Sequence, residues 1–319
     1  EDERVLRAVQ TVVDEGIAEP ILVGRPDVVE ARIERLGLRV RAGRDIELVN
    51  PQNDPRYKEY WEDYHQLMER NGVSPDDART IVRTNTTAIA ALMLRRGEAN
   101  AMLCGTYGQF AWHLRYIMNV IGLEQGRRDV SALSIVILPK GTIFLCDTHV
   151  TPNPTAEELV EMTELSVEQM RRFGITPKVA LLSHSAFGSA NTPETAKSRQ
   201  AVRILRERFP DLEVEGEMPA DAALNENIRQ RIFPNSRLTG TANLLVMPTL
   251  DASNIAFNML KVLGDGLPVG PILVGTAKSA HVLTPSVTAR GIVNMSAIAV
   301  IGAQRHEAEG PDAVSRPLL

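Results

Sequence analysis

Short apolar runs alternate with helical patterns along almost the whole chain, and that alternation limits the possible fold more than any other feature. PILVG (20–24), IELVN (46–50), NAMLCG (100–105), KVALLSHS (178–185), ANLLVMP (242–248) and GPILVG (270–275) read as strands. Between them lie a polar-aromatic helix from about Tyr57, TAIAALMLRRGEA ending at Gly97, and a helix with an acidic start after Thr155. TPETAKSRQAVRILRERF, a segment from Ser253 and the closing GIVNMSAIAVIGAQ are also helical in pattern. ALSIVILP and TIFLCD flank Lys140-Gly141 and predict a hairpin. Strands separated by helices require mostly parallel sheets covered on both faces. The expected class is therefore α/β, with two doubly wound domains, which suits 319 residues. A break near Asp147 to Pro154 and a return near Gly270 predict domain I as 1–147 plus 274–319 and an inserted domain II as 148–273.

Hydrophobic residues make up 44% and charged residues 24%, as in a globular protein with full cores. A net charge of -5 argues against nucleic acid, whose phosphates select a basic surface. The sequence has no signal peptide and no run of apolar residues long enough to span a bilayer, so neither membrane nor export is expected. Cys104 and Cys146 each sit in an apolar run without metal-ligand spacing, and read as buried, reduced thiols of a cytoplasmic protein. The six histidines are scattered, with no pair at metal-binding spacing, and no phosphate-cradling glycine motif is present.

The chain opens without methionine, straight into EDERVLRAVQTVVDEG, where Val5, Val9, Val12 and Val13 recur at helical spacing. An α/β domain seldom begins on a helix, so upstream residues, including a further domain, are expected. The tail RHEAEGPDAVSRPLL is polar and expected to fray. Tyr57, Tyr60, Trp61 and Tyr64 form a helical aromatic stripe, read as a face packed on a neighbour and as a candidate subunit interface. Ser183 to Ser189 follow a strand, where ligands of parallel sheets gather.

Several segments taken together are more specific: Asn153-Pro154-Thr155 before Glu157, Asp221-Ala222-Ala223-Leu224, Leu250-Asp251-Ala252-Ser253-Asn254-Ile255, and Gly270-Pro271-Ile272-Leu273. In this order and spacing the chain resembles the phosphate acetyl/butyryltransferase family from residue 1 to about Gln304. The resemblance implies two α/β domains with a cleft between them for a CoA thioester and phosphate, usually in a homodimer. It also implies binding roles for Arg115, Arg83, Ser183, Asn254, Lys278 and Thr284. Cationic contacts for the CoA phosphates and donors for the thioester carbonyl are what such a ligand requires.

Active members carry Asp-Leu-Ser-Arg-Gly after the Gly-Pro-Ile-Leu strand and an aspartate further on. Their serine and aspartate deprotonate the CoA thiol, and the arginine steadies phosphate and oxyanion. An ungapped match from Pro271 to Val293 sets Thr284 at the serine, Pro285 at the arginine and Gly291 at the aspartate. Losing a general base removes about 10²–10⁴ in rate, and losing an oxyanion stabiliser about 10²–10³. No catalytic residue is therefore expected in this chain, unless Arg290, or His281 on an expected loop, takes over. The run Leu-Thr-Pro-Ser-Val-Thr-Ala-Arg-Gly-Ile-Val-Asn-Met (283–295) and Thr-Tyr-Gly-Gln-Phe (106–110) resemble the C-terminal module of hybrid malic enzymes. That resemblance implies acetyl-CoA as effector, malic and NADP-binding domains as partners in one parent chain, and a homodimer or higher homo-oligomer. NADP and a divalent metal belong, on this reading, only to the parent's other domains. The alternative is a working phosphate acyltransferase with a rearranged base, and a third reading is a purely structural assembly module.

Overall fold

The computed structural model of the chain describes residues 1–309. It divides into two compact units, one of Glu1–Gly126 with the segment from Thr276 onward, the other of Arg127–Gly275. The inserted unit thus begins before the hairpin, whereas the sequence reading placed the hairpin in the first domain. The reason is pairing: both hairpin strands belong to the inserted unit's own sheet.

Unit 1 opens with α1 (Glu3–Asp14), capped by the Asp2 side chain and burying Leu6, Ala8, Val9 and Val12. There follow β1 (Ile21–Val23), α2 (Pro26–Arg35), β2 (Glu47–Val49), α3 (Tyr57–Met68), α4 (Pro75–Thr84), α5 (Thr86–Arg96), β3 (Ala101–Cys104) and α6 (Phe110–Val120). Ser74 and Asp77 form a capping box for α4, and Gly97 ends α5 in the left-handed region. Strands β1 and β2 pair in parallel over a small core of Leu6, Val9, Val29, Ile33, Val40 and Ile46.

Tyr60 and Tyr64 of the aromatic stripe are buried, and Tyr60 donates its hydroxyl to Glu98 at 2.5 Å. Tyr57 donates to the Arg79 carbonyl at 2.8 Å, and the Arg79 guanidinium lies 4.3 Å from the Trp61 ring. The stripe is therefore used in the unit's own packing.

Unit 2 holds a six-stranded sheet in the order β7-β6-β8-β5-β4-β9. Its elements are β4 (Ser131–Leu138), β5 (Gly141–Cys146), α7 (Ala156–Arg172), β6 (Lys178–Leu182), α8 (Pro193–Arg208), β7 (Glu213–Met218), α9 (Ala220–Leu224), α10 (Glu226–Ile232), β8 (Leu244–Val246), α11 (Leu250–Leu263) and β9 (Leu267–Val274). The hairpin β4–β5 is antiparallel, as its sequence predicts, and β5, β8, β6 and β7 run parallel. β7 was not foreseen, because EVEGEM looks polar; its buried Glu215 and Glu217 each have an arginine partner and further hydrogen-bond donors.

The chain then returns to unit 1 as β10 (Ser279–Val282), parallel to β3, and α12 (Ala289–Glu309). β10 corrects the expected loop at His281, which is a buried strand residue. The start of the expected fraying tail, Arg305 to Glu309, continues α12, and Arg305 bonds Glu124; the rest lies outside the described residues. Cys146 is buried and Cys104 only partly so, with burial pushing both thiols up to about 12. No helix among the described residues is long and apolar enough to cross a membrane.

Arg229 shows how unit 2 spends a charge on its interior. It is 0% exposed and donates to the carbonyls of Ala222 (2.9 Å), Leu238 (3.0 Å) and Gly240 (2.7 Å). Arg229→Ala leaves three carbonyls without partners in the interior and is expected to cost about 3 kcal/mol or more. Urea unfolding measures this; an unchanged midpoint would show that the carbonyls are satisfied in another way.

Candidate ligand-binding site

Within unit 1, β3 and β10 end side by side. His281 pairs with Leu103 and Val282 with Cys104, and the Leu283 amide donates to the Cys104 carbonyl at 2.7 Å. Gly105, at φ +92, comes next; a Cβ there would lie 2.5 Å from the Leu283 carbonyl oxygen. Two loops therefore leave the same carboxyl edge, 105–109 into α6 and 283–288 into α12. Carboxyl edges of parallel strands, flanked by helix N-termini, are where ligands of such folds bind.

The first loop is held from below. His113 is buried, and its Nε2 lies 2.6 Å from the Tyr107 carbonyl, which only accepts; Nε2 is therefore the protonated nitrogen. Nδ1 then accepts from the Thr87 hydroxyl at 2.8 Å. Burial pulls the His113 pKa down, which keeps the ring neutral and this pattern intact. The Tyr107 ring is 57% exposed, and its hydroxyl shares a hydrogen bond with Thr86 at 3.3 Å.

The expected binding residues fall out unevenly. Arg115, on the second turn of α6, is exposed, with its guanidinium 5.3 Å from the Tyr116 ring and no carboxylate partner among the described residues. Arg83, near the end of α4, is exposed and stacks 4.9 Å over Tyr57. Thr284 is half-buried at the edge, its hydroxyl 3.1 Å from that of Ser286. Lys278 lies elsewhere: it precedes β10, so about 20 Å of extended chain separates it from Thr284.

Beside Thr284 the chemistry is sparse. Pro285 brings no cation, and Gly291, in the first turn of α12, brings no carboxylate. The Nε2 of His281 is 3.4 Å from Ser279 Oγ, which itself donates to Ala299 of α12, so the ring faces that helix. Among the described residues the Thr284 hydroxyl has its hydrogen bond with Ser286 and none with a histidine or carboxylate.

Ser183 and Asn254 belong to unit 2, where they sit at the carboxyl edge of its parallel strands. Ser183 follows β6, and its hydroxyl accepts from the Ser185 amide at 3.1 Å. Asn254, in the second turn of α11, donates to the Thr148 carbonyl at 3.4 Å.

Three groups missed in the sequence organise this edge. Asp147, buried after β5, accepts from the amides of Ala132, His149, Val150 and Thr151 at 2.7–3.2 Å. Burial raises its pKa, and those amides oppose the rise. Glu217 accepts from Ser185 Oγ (2.6 Å), the Gly188 amide (2.9 Å) and Arg199 (2.8 Å), and so shapes the 183–189 loop. Lys197 ties Asn153 (2.7 Å) to the Pro248 carbonyl (2.8 Å), joining the loops around β8. Only Asp147, directly behind the run IFLC, carried a sequence signal, because an acidic residue at a strand's carboxyl end is conspicuous.

His149 adds a pH dependence. Burial lowers its pKa from 6.5 to about 4, so the unfolded chain takes up a proton first as pH falls. Stability from His149 is complete above about 6.5 and declines as pH drops towards about 4. His113 shifts in the same direction. His149→Gln is expected to flatten the fall in thermal midpoint between pH 7 and pH 4.5; an unaltered slope would assign it to other groups.

Comparison with known proteins identifies what the chain is similar to. The phosphate acetyl/butaryl transferase family profile matches residues 1–300. A protein named NAD-dependent malic enzyme from Rhizobium meliloti is 53% identical over 94% of this chain, but only 39% of its own length is covered. NADP-dependent malic enzyme from Escherichia coli is 50% identical over 95% of this chain and 40% of its own. The chain thus spans about two-fifths of the length of these two relatives. A phosphotransacetylase structure from Streptococcus pyogenes superposes with a TM-score of 0.85 at 28% identity, covering 97% of this chain and 92% of that one.

Proposed function

This chain belongs to the phosphate acetyl/butaryl transferase family, and on that premise we propose that it is a regulatory module of a larger malic enzyme. In this reading it binds acetyl-CoA or a related CoA thioester, does not transfer the acyl group itself, and adjusts the oxidative decarboxylation of malate carried out elsewhere in the parent chain. Malic and dinucleotide-binding domains are its partners there, together with a divalent metal that they hold. The dinucleotide differs in the names of the two relatives, NAD in one and NADP in the other. A cytoplasmic location belongs to the same proposal.

One observation carries the reading. α6, which follows the loop leaving the carboxyl edge of β3, carries an exposed Arg115 with no carboxylate partner among the described residues, while the edge itself has neither a cation at 285 nor a carboxylate at 291 near Thr284 in the chain. Arg115 has the charge and reach to take a phosphate or the thioester carbonyl of CoA. Binding and turnover need different residues, so the first survives the loss of the second. A ligand that favours one conformation of the module shifts an attached enzyme by its differential affinity, typically about 1–3 kcal/mol.

Homodimerisation or higher assembly is part of the proposal. Ile255, Met259, Val262 and Leu263 of α11 are 59%, 53%, 67% and 77% exposed, an apolar face supporting association of like copies. Met259→Asp is expected to lower the sedimentation mass; an unchanged assembly would remove α11 from the interface.

The deciding experiment is a calorimetric titration with acetyl-CoA, with the same samples assayed for phosphate-dependent release of CoA. Binding without turnover supports the proposal, and Arg115→Ala should then weaken it about tenfold or more. Turnover at ordinary enzyme rates would replace the proposal with a working acyltransferase, and absent binding would shift the weight to assembly. The double variant Pro285→Arg, Gly291→Asp is expected to gain transferase activity. A Cβ at 291 meets Val287 Cγ2 at 3.0 Å and Thr288 Oγ1 at 3.4 Å, a crowding that a small side-chain shift relieves.

A further inference from the structure

A guanidinium has five N–H donors, and in Arg4 all five are engaged. Nε and Nη2 donate to Asp2 at 3.1 and 2.7 Å. Nη2 also donates to the Thr106 carbonyl at 3.1 Å. Nη1 donates to the carbonyls of Pro285 (2.5 Å) and Val287 (3.0 Å). Thr106 lies in the loop after β3, and Pro285 and Val287 in the loop after β10.

The arginine thus bridges the two loops of the ligand edge from a residue distant from both in sequence. Asp2 holds it in place: the carboxylate caps α1 through the Arg4 amide at 2.8 Å and is itself held below its usual pKa by the same guanidinium. With every donor committed, Arg4 has none left for a ligand. Its effect is on geometry.

We propose that Arg4 is a positioning residue: it sets the gap between the Thr106–Tyr107 loop and the Thr284–Val287 loop, and through it the affinity of unit 1 for a CoA thioester. This rests on the function proposed above. The contact at Pro285 is notable because resemblance to active transferases assigns an arginine there. Arg4 brings a guanidinium to that residue from elsewhere in the chain, spent on its backbone and not on the ligand. Lysine cannot substitute, because one ammonium with three donors does not span three carbonyls on two loops.

The experiment is acetyl-CoA calorimetry on the whole chain as wild type, Arg4→Lys, Arg4→Ala and Asp2→Asn, with thermal unfolding and amide hydrogen exchange on each. Arg4→Lys is expected to stay folded, bind about tenfold more weakly, and exchange faster at 106–109 and 286–288 with acetyl-CoA bound. Asp2→Asn, which keeps the cap but loosens the guanidinium, should show a smaller loss in the same direction. If Arg4→Ala fails to fold, these two variants still decide. Wild-type binding with unaltered affinity in Arg4→Lys and Asp2→Asn overturns the positioning role alone, even if their thermal midpoints fall. Absence of wild-type binding overturns the proposed function and this inference together.

Discussion

A single backbone hydrogen bond, Leu283 amide to Cys104 carbonyl at 2.7 Å, sets where the unit 1 edge can exist. It closes the parallel pairing of β3 and β10, strands far apart in the chain. Gly105 makes that closure possible, because any side chain there would run into the Leu283 carbonyl oxygen. Everything proposed for the edge follows from the two loops that leave it. Tyr107 is presented on one, Thr284 on the other, and Arg4 reaches both. The cost of closing so long a loop grows only with the logarithm of its length, so packing elsewhere in the unit readily offsets it.

Both units shape their edges by the same device, a charged side chain bonded to backbone atoms of the loops. In unit 1 it is Arg4 on three carbonyls; in unit 2 it is Asp147 on four amides and Glu217 on the 183–189 loop. Hydrogen bonds to a charged group are strong and directional, so they hold a loop in one shape. A rigid loop binds a ligand with less ordering cost. Holding a shape does not require catalytic groups, so the form of these edges is independent of whether a base acts beside Thr284.

The α/β class, the alternation of elements and the hairpin at Lys140-Gly141 were legible in the sequence, because hydrophobic period reports local structure directly. So was the absence of a charged side chain at Pro285 and at Gly291, which is a matter of residue identity alone. Several features were not legible. β7 was hidden by its glutamates, and β10 was too short and mixed to stand out from a loop. The unit boundary moved from 147 to 126 because strand pairing, not composition, decides which unit a hairpin joins.

The sequence alone therefore determined the fold class and the residue types at 284, 285 and 291, since both depend on residue identity and local period. Only the tertiary structure separated Lys278 from Thr284 by the length of β10, moved His281 from an expected loop into a strand facing α12, and brought Arg4 to Thr106 and Pro285. The physical reason is that these facts depend on long-range pairing of β3 with β10, and no periodicity within either segment records its partner.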